Sequence, residues 1–255
     1  MAEANGEDYM ISVSVVSHGQ MTLVSNLLDD IQAYCENTSL ELILTLNTPH
    51  EPIPNFECYG FPIVVIQNDL PKGFGANHNQ AFVCAKGDYF CVLNPDIRLQ
   101  ADPFPPLMAC LADSSVGVSA PMVLNGEGHM DDSARYFPSP LSIACKVLGF
   151  SRSARYDVGQ TVAYPDWVAG MFMLFNARTF SQLNGFDERY FLYYEDVDIC
   201  GRLTNMGLRV AWCPSAQVIH LAQRTSHRNF KYLRWHVTSM LKFFSSRNYW
   251  RLLWK

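Results

Sequence analysis

The first half of the chain alternates short apolar runs with segments of helical character. The runs cover residues 10–17, 40–46, 62–67, 89–93 and 116–124, and the first of them is rich in β-branched residues. The helical segments between them cover residues 21–35, 73–85 and 104–112. Strands that alternate with helices pair in parallel, because each helix carries the chain back along the sheet. The pattern predicts an α/β fold with a mostly parallel sheet flanked by helices.

The second half is less regular. Residues 125–165 contain Gly, Pro and Ser with few periodic runs, which favours a mobile loop. Beyond this loop we predict strands at 168–175, 208–213 and 217–221, and helices at 178–183, 195–206 and from about 229 to the end.

Composition and charge restrict the class of protein. The 255 residues are 49% hydrophobic and 17% charged, which is sufficient for one large core. Ten Lys/Arg and no acid occur in residues 199–255, so this end carries +10, whereas residues 1–198 carry −15. Such asymmetry indicates an anionic partner for the basic end. The start of the chain is acidic and has no apolar h-region, so we expect no signal peptide, and without an uncharged apolar stretch of 18 residues we expect no transmembrane helix.

The eight cysteines are scattered and form no C-x-x-C pair. A chain with this much core does not need a disulfide framework, so reduced thiols and a cytoplasmic location are expected.

Polar residues follow several of the predicted strands. Ser17-His18, Asn47 and the turn Asn94-Pro95-Asp96 each come directly after a strand. Ligands bind at the carboxyl ends of strands in open α/β sheets, so we expect these residues at one site. A carboxylate such as Asp96 suits Mg²⁺ or Mn²⁺, which complete their shells with phosphate and water. Asn-Pro-Asp is also ordinary turn chemistry, and that alternative stays open.

Residues 72–79, Lys-Gly-Phe-Gly-Ala-Asn-His-Asn, form a glycine-containing turn before a helix. The turn lacks the G-K-[ST] of a Walker A loop and the third glycine of the dinucleotide fingerprint. Gly73, Gly75 and Asn77 could still bring backbone close to a nucleotide, or the turn could be a plain loop-to-helix junction.

An aromatic run leads into three acids at residues 191–198. Acids gain stability in the first turn of any helix, and Asp198 is expected simply to pair with Arg202 four residues later. Glu195 and Asp196 differ, because aromatic surroundings raise a carboxylate's pKa toward that of a useful general base. This cluster and the carboxylate at Asp96 predict metal-assisted group transfer.

His220 ends a short predicted strand and is either a satisfied core residue or a ligand for metal or diphosphate. The segment after it is basic and amphipathic, which is typical of a helix on an anionic membrane, although it could equally pack on the domain. No recognition motif accompanies the charge, so nucleic acid is not expected. The candidate membrane residues are Lys231, Arg234, Trp235, Lys242, Arg247, Trp250, Arg251 and Trp254.

These motifs occur in an order that resembles family 2 glycosyltransferases of the GT-A fold, over about residues 10–226. The similarity is strongest to bacterial rhamnosyltransferase-like members that build surface polysaccharides such as O-antigen. The motifs that carry it are residues 13–19, 73–79, 94–96, 167–170, 185–188, Glu195-Asp196-x-Asp198 and His220. The pairing of Gly-Phe-Asp-Glu with Glu-Asp-x-Asp is the most specific of them.

The resemblance implies a role for each motif. Asp196 would be the base, with Glu195 orienting it or sharing its task, and Asp96 and His220 would hold the metal. The nucleotide would be bordered by Ser17, His18, Asn47, Asn68, Gly73, Gly75, Asn77 and Asn94. The acceptor would be lined by Trp167, Gly170, Phe191 and Tyr194. Asn94 stands where the family's D-x-D has its first acid, and Leu46 stands where members often carry Asp, so the donor's identity is open.

The implied organisation has three parts. Residues 1–9 would be a flexible start and residues 227–255 a basic amphipathic helical tail. Residues 10–226 would form the GT-A domain, with a nucleotide-binding half (10–124) and an acceptor and catalytic half (125–226).

The implied activity is inverting sugar transfer from a nucleotide donor, with dTDP-rhamnose favoured over UDP-galactose or UDP-N-acetylglucosamine. The acceptor would be polyprenyl-diphosphate-linked or an oligosaccharide, at the inner face of the cytoplasmic membrane. Two other classes remain. A metal-dependent nucleotidyltransferase is disfavoured because Lys72 is the one Lys/Arg between residues 47 and 85. A non-catalytic sugar-nucleotide-binding scaffold is disfavoured by the Glu195-Asp196 pair.

Overall fold

The computed structural model describes residues 9–147, 161–221 and 230–254. Nearly all of the flexible start expected at residues 1–9, and part of the loop expected at 125–165, lie outside these ranges. Within the described part of that loop, residues 134–135 are a strand and residues 140–147 a helix.

Strands and helices alternate through the first 125 residues, as the apolar pattern predicts. The strands are β1 (Ile11–Ser17), β2 (Leu40–Leu46), β3 (Ile63–Gln67), β4 (Tyr89–Leu93), β5 (Ile97–Leu99), β6 (Val116–Asn125), β7 (Ala134–Arg135), β8 (Trp167–Val168), β9 (Phe172–Asn176) and β10 (Arg209–His220). The helices are α1 (Met21–Tyr34), α2 (Phe74–Cys84), α3 (Phe104–Leu111), α4 (Pro140–Val147), α5 (Ala177–Gln182), α6 (Glu195–Asn205), α7 (Phe230–Ser245) and α8 (Arg247–Leu253).

One central sheet has the strand order β3-β2-β1-β4-β9-β6-β10-β5, and β7 pairs with β8 beside it. Every residue of β1 is buried, because apolar side chains cover both faces of the sheet. The strands β3, β2, β1 and β4 are parallel. Ser17 pairs with Leu46, which pairs with Gln67, so the residues that follow these strands meet at one edge. We call this the carboxyl edge.

Two reversed strands bring distant segments to the carboxyl edge. β9 runs antiparallel between β4 and β6, and Phe172 pairs with Leu93, so β9 begins where β4 ends. β5 runs antiparallel to β10, and the Leu221 N–H donates to the Asp96 carbonyl oxygen at 2.9 Å. The start of β9 and the end of β10 therefore lie beside the turn that contains Asp96.

Two strand predictions were wrong in detail. The strand expected at 168–175 is divided into β8 and β9 around Gly170, and only β9 joins the central sheet. The two strands expected at 208–213 and 217–221 are one continuous strand, β10, with an irregular register between Cys213 and Gln217. Prolonged pairing with β6 on both sides of this irregularity keeps β10 continuous.

Candidate active site

Three buried asparagines at the carboxyl edge bind one another rather than facing outward. Asn68 donates to Asn47 and to Asn77, both at 2.8 Å. Asn47 accepts the Lys72 N–H and donates to the Lys72 carbonyl oxygen, while Asn77 donates to the Gly73 carbonyl oxygen. The network fixes the turn before α2. A contact of these amides with base or ribose stays a prediction.

Glu51 holds the loop after β1. One of its oxygens accepts the Ser17 hydroxyl at 2.5 Å, and the other accepts the Gly19 N–H at 3.0 Å. Glu51 is buried, so its hydrogen bonds persist out of contact with bulk water. The exposed His18 lies beside this loop, with Nδ1 at 3.4 Å from the Asn47 amide nitrogen. The Ser17 hydroxyl therefore helps to order the loop after β1 through Glu51.

The two glycines of the turn pack against the loop that leads to Glu195. A β-carbon on Gly73 would lie 2.7 Å from the Phe191 carbonyl oxygen, and one on Gly75 would lie 2.6 Å from Cβ of Phe186. The Phe74 N–H donates to the Phe191 oxygen at 2.9 Å. Glycine is required here because α2 approaches a second backbone segment closely. These contacts explain both glycines without a phosphate.

Asp96 and His220 face each other across the β5–β10 pair. His220 Nε2 lies 3.3 Å from Asp96 Oδ2, and the two side chains are only 13% and 16% exposed. His220 Nδ1 lies 3.3 Å from a second carboxylate, Asp131. Burial lowers the pKa of His220, but the hydrogen bonds and charges of Asp96 and Asp131 outweigh it and raise the pKa. The cluster therefore favours positive charge.

The donor set fits a divalent cation whose shell is completed by a diphosphate and water. Asp96 Oδ1 is buried and has no hydrogen-bond partner among the described residues, although a buried carboxylate oxygen needs one. Within the same ranges, no group of three or more His, Cys, Asp or Glu side chains could hold a metal alone. Mg²⁺ commonly takes one or two protein ligands and receives the rest from substrate. Asp96 and His220 could supply those two, whereas Asn94 contributes its backbone N–H to Met171.

Glu195 and Asp196 form the first turn of α6. Asp196 Oδ1 accepts the Val197 N–H at 2.8 Å, and Oδ2 accepts the Gly170 N–H at 3.2 Å. Glu195 is buried, and its Oε2 has no hydrogen-bond partner in the described part of the chain. Asp198 pairs with Arg202 at 2.7 Å, as expected.

Burial raises the pKa of both carboxyls in this pair. Burial is the largest cause for Glu195, whose pKa is raised well above its usual range, and the neighbouring Asp196 adds to it. Burial also raises the pKa of Asp196, against the N–H groups of Val197 and Gly170 and the charge of Arg135. A carboxylate with a raised pKa accepts protons more readily, which suits a general base.

Asp96 and Asp196 belong to the same edge of the sheet. The Asn94 N–H donates to the Met171 carbonyl oxygen at 2.9 Å, and the preceding Gly170 N–H is the one that binds Asp196. The connection runs through the reversed start of β9. The structure therefore links the turn that contains Asp96 to the turn that contains Asp196 by two hydrogen bonds.

The β7–β8 pair adds a wall beside Asp196. Arg135 pairs with Trp167 in register, and its guanidinium carbon lies 5.1 Å from the centre of the Trp167 ring. The Trp167 ring N–H donates to the Tyr136 carbonyl oxygen at 2.9 Å, and this hydrogen bond to the backbone fixes the orientation of the ring. Trp167 is buried, whereas Gly170 directly contacts Asp196 through its N–H.

Helix α7 holds the loop that precedes Asp196. Phe191 stacks on Trp235 with ring centres 4.6 Å apart, and Ser239 donates to the Leu192 carbonyl oxygen at 2.9 Å. Tyr194 is buried against Phe243, with ring centres 5.6 Å apart. Of the two expected acceptor residues on this loop, Phe191 is therefore partly exposed, whereas Tyr194 is buried.

The same loop contains two adjacent strained residues. Tyr193 and Tyr194 have φ values of 69° and 68°, in the left-handed region that side chains other than glycine seldom adopt. Each such residue costs about 1–3 kcal/mol and persists only where its surroundings hold it. The contacts with α7 provide that support, immediately before Glu195.

The C-terminal helices pack on the domain through one stripe of α7 and through Asn248 of α8. The packed stripe contains Trp235, Ser239 and Phe243, and the Lys242 ammonium contacts the Arg189 carbonyl oxygen. In α8, Asn248 donates to the Asp198 side chain at 2.9 Å. The surface left exposed includes Phe230, Leu233, Val237, Leu241, Trp250 and Trp254, together with the cations Lys231, Arg234, Arg247 and Arg251.

Four contributors were not predicted from the sequence: Glu51, Asp131, Arg135 and Ser239. Asp131 and Arg135 lie in the irregular 125–165 segment, where neither helical nor strand periodicity identifies a face. Arg135 is one of only nine basic residues before position 199, which was an available signal. Nothing in the local sequence marks Glu51 or Ser239, because their partners lie 34 and 47 residues away.

The chain is similar to two curated rhamnosyltransferases, although no protein-family model matches it. It is 28% identical over 252 residues to the rhamnosyltransferase WbbL of Escherichia coli K12, covering 93% of this chain and 94% of that protein. It is 30% identical over 177 residues to the N-acetylglucosaminyl-diphospho-decaprenol L-rhamnosyltransferase of Mycobacterium tuberculosis. That match covers 64% of this chain and 58% of the mycobacterial protein's length.

Solved structures establish the fold. A structure of GalNAc-T7 with UDP, GalNAc and Mn²⁺ matches with a TM-score of 0.70 at 13% identity, covering 94% of this chain and 49% of the other. The mannosyltransferase PcManGT of Pyrobaculum calidifontis, in complex with GDP-Man and Mn²⁺, matches with a TM-score of 0.64 at 17% identity. Here the coverage is 95% of this chain and 72% of the other.

The sheet, its carboxyl edge and these matches define a GT-A glycosyltransferase fold. Both curated relatives described above are rhamnosyltransferases. None of the described helices combines the length and apolarity that a bilayer crossing requires.

Proposed function

We propose that this chain is an inverting, metal-assisted glycosyltransferase that acts in the synthesis of a surface glycan. The observation that carries the proposal is the position of a carboxyl with a raised pKa, Asp196, on the same sheet edge as the Asp96–His220 pair. The two rhamnosyltransferase relatives support rhamnose as the sugar, and dTDP-rhamnose as the donor follows from the family resemblance.

In this reaction Asp196 removes the proton of the acceptor hydroxyl as that oxygen attacks the anomeric carbon. The bond to the nucleoside diphosphate breaks on the opposite face, so the configuration inverts and no covalent enzyme intermediate forms. Asp96 and His220 would hold Mg²⁺ or Mn²⁺, which supplies Lewis-acid neutralisation of the departing diphosphate. Glu195 stands next to Asp196, whose charge adds to burial in raising the pKa of Glu195.

A turnover assay tests this function. The full chain is incubated with Mn²⁺, a polyprenyl-diphosphate-linked N-acetylglucosamine acceptor and, separately, dTDP-rhamnose, UDP-galactose and UDP-N-acetylglucosamine. We expect product from dTDP-rhamnose, with an inverted anomeric configuration by NMR. Asp196→Asn should abolish transfer and leave nucleotide binding nearly unchanged. Retained activity in this variant would place the base elsewhere, and retained configuration would exclude direct displacement.

The two alternative classes give different results in the same assay. A scaffold would bind a nucleotide sugar and turn over none of them. A nucleotidyltransferase would release pyrophosphate from a nucleoside triphosphate, which the proposed enzyme does not do. Asp96→Ala should weaken both Mn²⁺ and donor binding, and transfer that is insensitive to a chelator would refute the role of the metal.

We also propose that the outer face of α7 and α8 binds the anionic inner surface of the cytoplasmic membrane. Leu233 and Leu241 are each 59% exposed, and the charged residues of α7 and α8 are all basic because no acid occurs after Asp198. Because α7 also supports the loop at Phe191 and Leu192, deleting the tail would disturb both membrane binding and sugar transfer. Leu233→Ser and Leu241→Ser together should instead release the protein from anionic vesicles. Val83→Ser on α2, at a position 85% exposed, is the matched control.

A further inference from the structure

Asp131 contacts the face of His220 that points away from Asp96. Its Oδ2 lies 3.3 Å from His220 Nδ1, while Asp96 Oδ2 lies 3.3 Å from Nε2 of the same ring. His220 is thus placed between two carboxylates with one ring nitrogen directed at each. Asp131 was not assigned any role by the motifs.

The backbone holds the Asp131 carboxylate in this orientation. Residues 125–130 form a tight hairpin after β6, in which Leu124 bridges Met130. The Asp131 N–H donates to the Val123 carbonyl oxygen at 2.8 Å. The other carboxylate oxygen, Oδ1, accepts the Asp132 N–H at 2.8 Å, so Oδ2 is the one directed at His220. Backbone hydrogen bonds therefore fix the position of Asp131 and direct its carboxylate at His220.

A neutral imidazole has one N–H and one lone pair, and a carboxylate can only accept. If Nδ1 donates to Asp131, the lone pair lies on Nε2 and is directed at Asp96. Two acceptors at 3.3 Å repel each other unless a proton or a metal cation lies between them. Metal-binding histidines commonly donate their second N–H to a carboxylate, which fixes the ring and strengthens the ligand.

We propose that Asp131 is a positioning residue of the metal site, which holds His220 with its proton on Nδ1 so that Nε2 and Asp96 bind one divalent cation. This inference rests on the proposed metal-assisted function and adds a residue to it. Asp131 acts through His220 and does not itself contact the cation. Its segment continues to Arg135 beside Asp196, so one short stretch supports both parts of the site.

Mn²⁺ titration of the full chain, followed by electron paramagnetic resonance of the free ion, tests the proposal without turnover. Asp131→Ala should weaken Mn²⁺ binding about 10–100-fold, the usual effect of losing such a partner. Asp131→Asn should weaken it much less, because the amide oxygen still accepts from Nδ1–H. Glu127→Gln, an exposed change on the same hairpin, should leave Mn²⁺ binding unchanged.

A second measurement reports the ring itself. In ¹⁵N NMR spectra, His220 of the wild type should show its proton on Nδ1, and Asp131→Ala should shift this population toward Nε2. Equal Mn²⁺ affinity in wild type and Asp131→Ala would overturn the proposal. Equal losses in Asp131→Asn and Asp131→Ala would also overturn it, since the carboxylate would then be a direct ligand.

The two proposals fail in different ways. Mn²⁺ binding that depends on Asp131 in a protein that transfers no sugar would contradict the enzymatic function and leave the metal-site inference intact. Sugar transfer by a protein that binds no Mn²⁺ would contradict the inference and leave glycosyl transfer intact.

Discussion

Replacing Gly73 by alanine adds one methyl group where α2 meets the loop that contains Phe191 and precedes Asp196. The new carbon would lie 2.7 Å from the carbonyl oxygen and 2.9 Å from Cα of Phe191. Both neighbours are backbone atoms, so no side-chain rotation relieves the contact. The loop cannot withdraw freely either, because the Phe74 N–H donates to that same oxygen. Gly73 has φ −68° and ψ 164°, which alanine adopts without strain.

Opposing effects set the magnitude. Alanine reduces the entropy of the unfolded chain, which would stabilise the protein by about 0.4–1 kcal/mol. Overpacking of this kind costs about 1–3 kcal/mol. A weakened hydrogen bond to Phe191 adds about 1 kcal/mol to the cost. The net expectation is a destabilisation of about 1–3 kcal/mol, or a Tm lower by roughly 2–10 °C for a domain of this size.

Activity should fall further than stability suggests. Phe191 lies five residues before Asp196, so a shift of the loop would displace the proposed base. Misplacement by about 1 Å costs on the order of 100-fold in rate. Mn²⁺ binding should stay unchanged, because the β5–β10 pair, and not the loop at Phe191, places Asp96 and His220. Calorimetry, Mn²⁺ titration and kcat of Gly73→Ala measure the three effects separately.

Gly60→Ala is the matched control. A β-carbon there would lie 3.5 Å from the flexible Gln32 side chain, an ordinary contact, and Gly60 is not among the residues with positive φ. This variant should keep the wild-type Tm or gain about 0.4–1 kcal/mol. A Gly73→Ala protein as stable and active as Gly60→Ala would refute the close approach of α2 to the backbone of Phe191.

Further variants address other contacts. Arg135→Gln removes a charge that lowers the Asp196 pKa, so this pKa should rise and the acidic limb of the pH–rate profile should move to higher pH; an unchanged limb contradicts the assignment of the base. Asn248→Ala removes the amide bound to Asp198 and should lower the free energy of unfolding by about 1–3 kcal/mol in urea titrations. Ser239→Ala leaves a loop carbonyl without its donor and should reduce kcat with little change in donor KM, whereas an unchanged kcat would show that α7 does not position the loop.

Much of the parallel half of the sheet could be predicted because its order is local. The run at residues 11–17 is β-branched and apolar, and it forms the fully buried strand β1. Parallel strands align their ends, so polar residues directly after β1, β2 and β4 had to share one edge. The acids at 195–198 were likewise placed at the start of a helix, as in α6.

The irregular segments resisted prediction because their contacts are distant in sequence. The direction of β9 depends on pairing with both β4 and β6, which a period-two pattern cannot express. Which face of α7 is buried also depends on contacts that are distant in sequence. Its apolar residues Leu233 and Leu241 face outward, while the polar Ser239 faces inward to a carbonyl group.

The amino-acid pattern alone determined the α/β class, the carboxyl edge and the residue types available for metal and base, because each depends on neighbours along the chain. Tertiary structure decided which of them meet. The reversed strands β9 and β5 connect Asp196, Asp96 and His220, since pairing between strands far apart in sequence is selected by packing of the whole sheet. The same packing places Asp131 against His220, a contact that spans 89 positions.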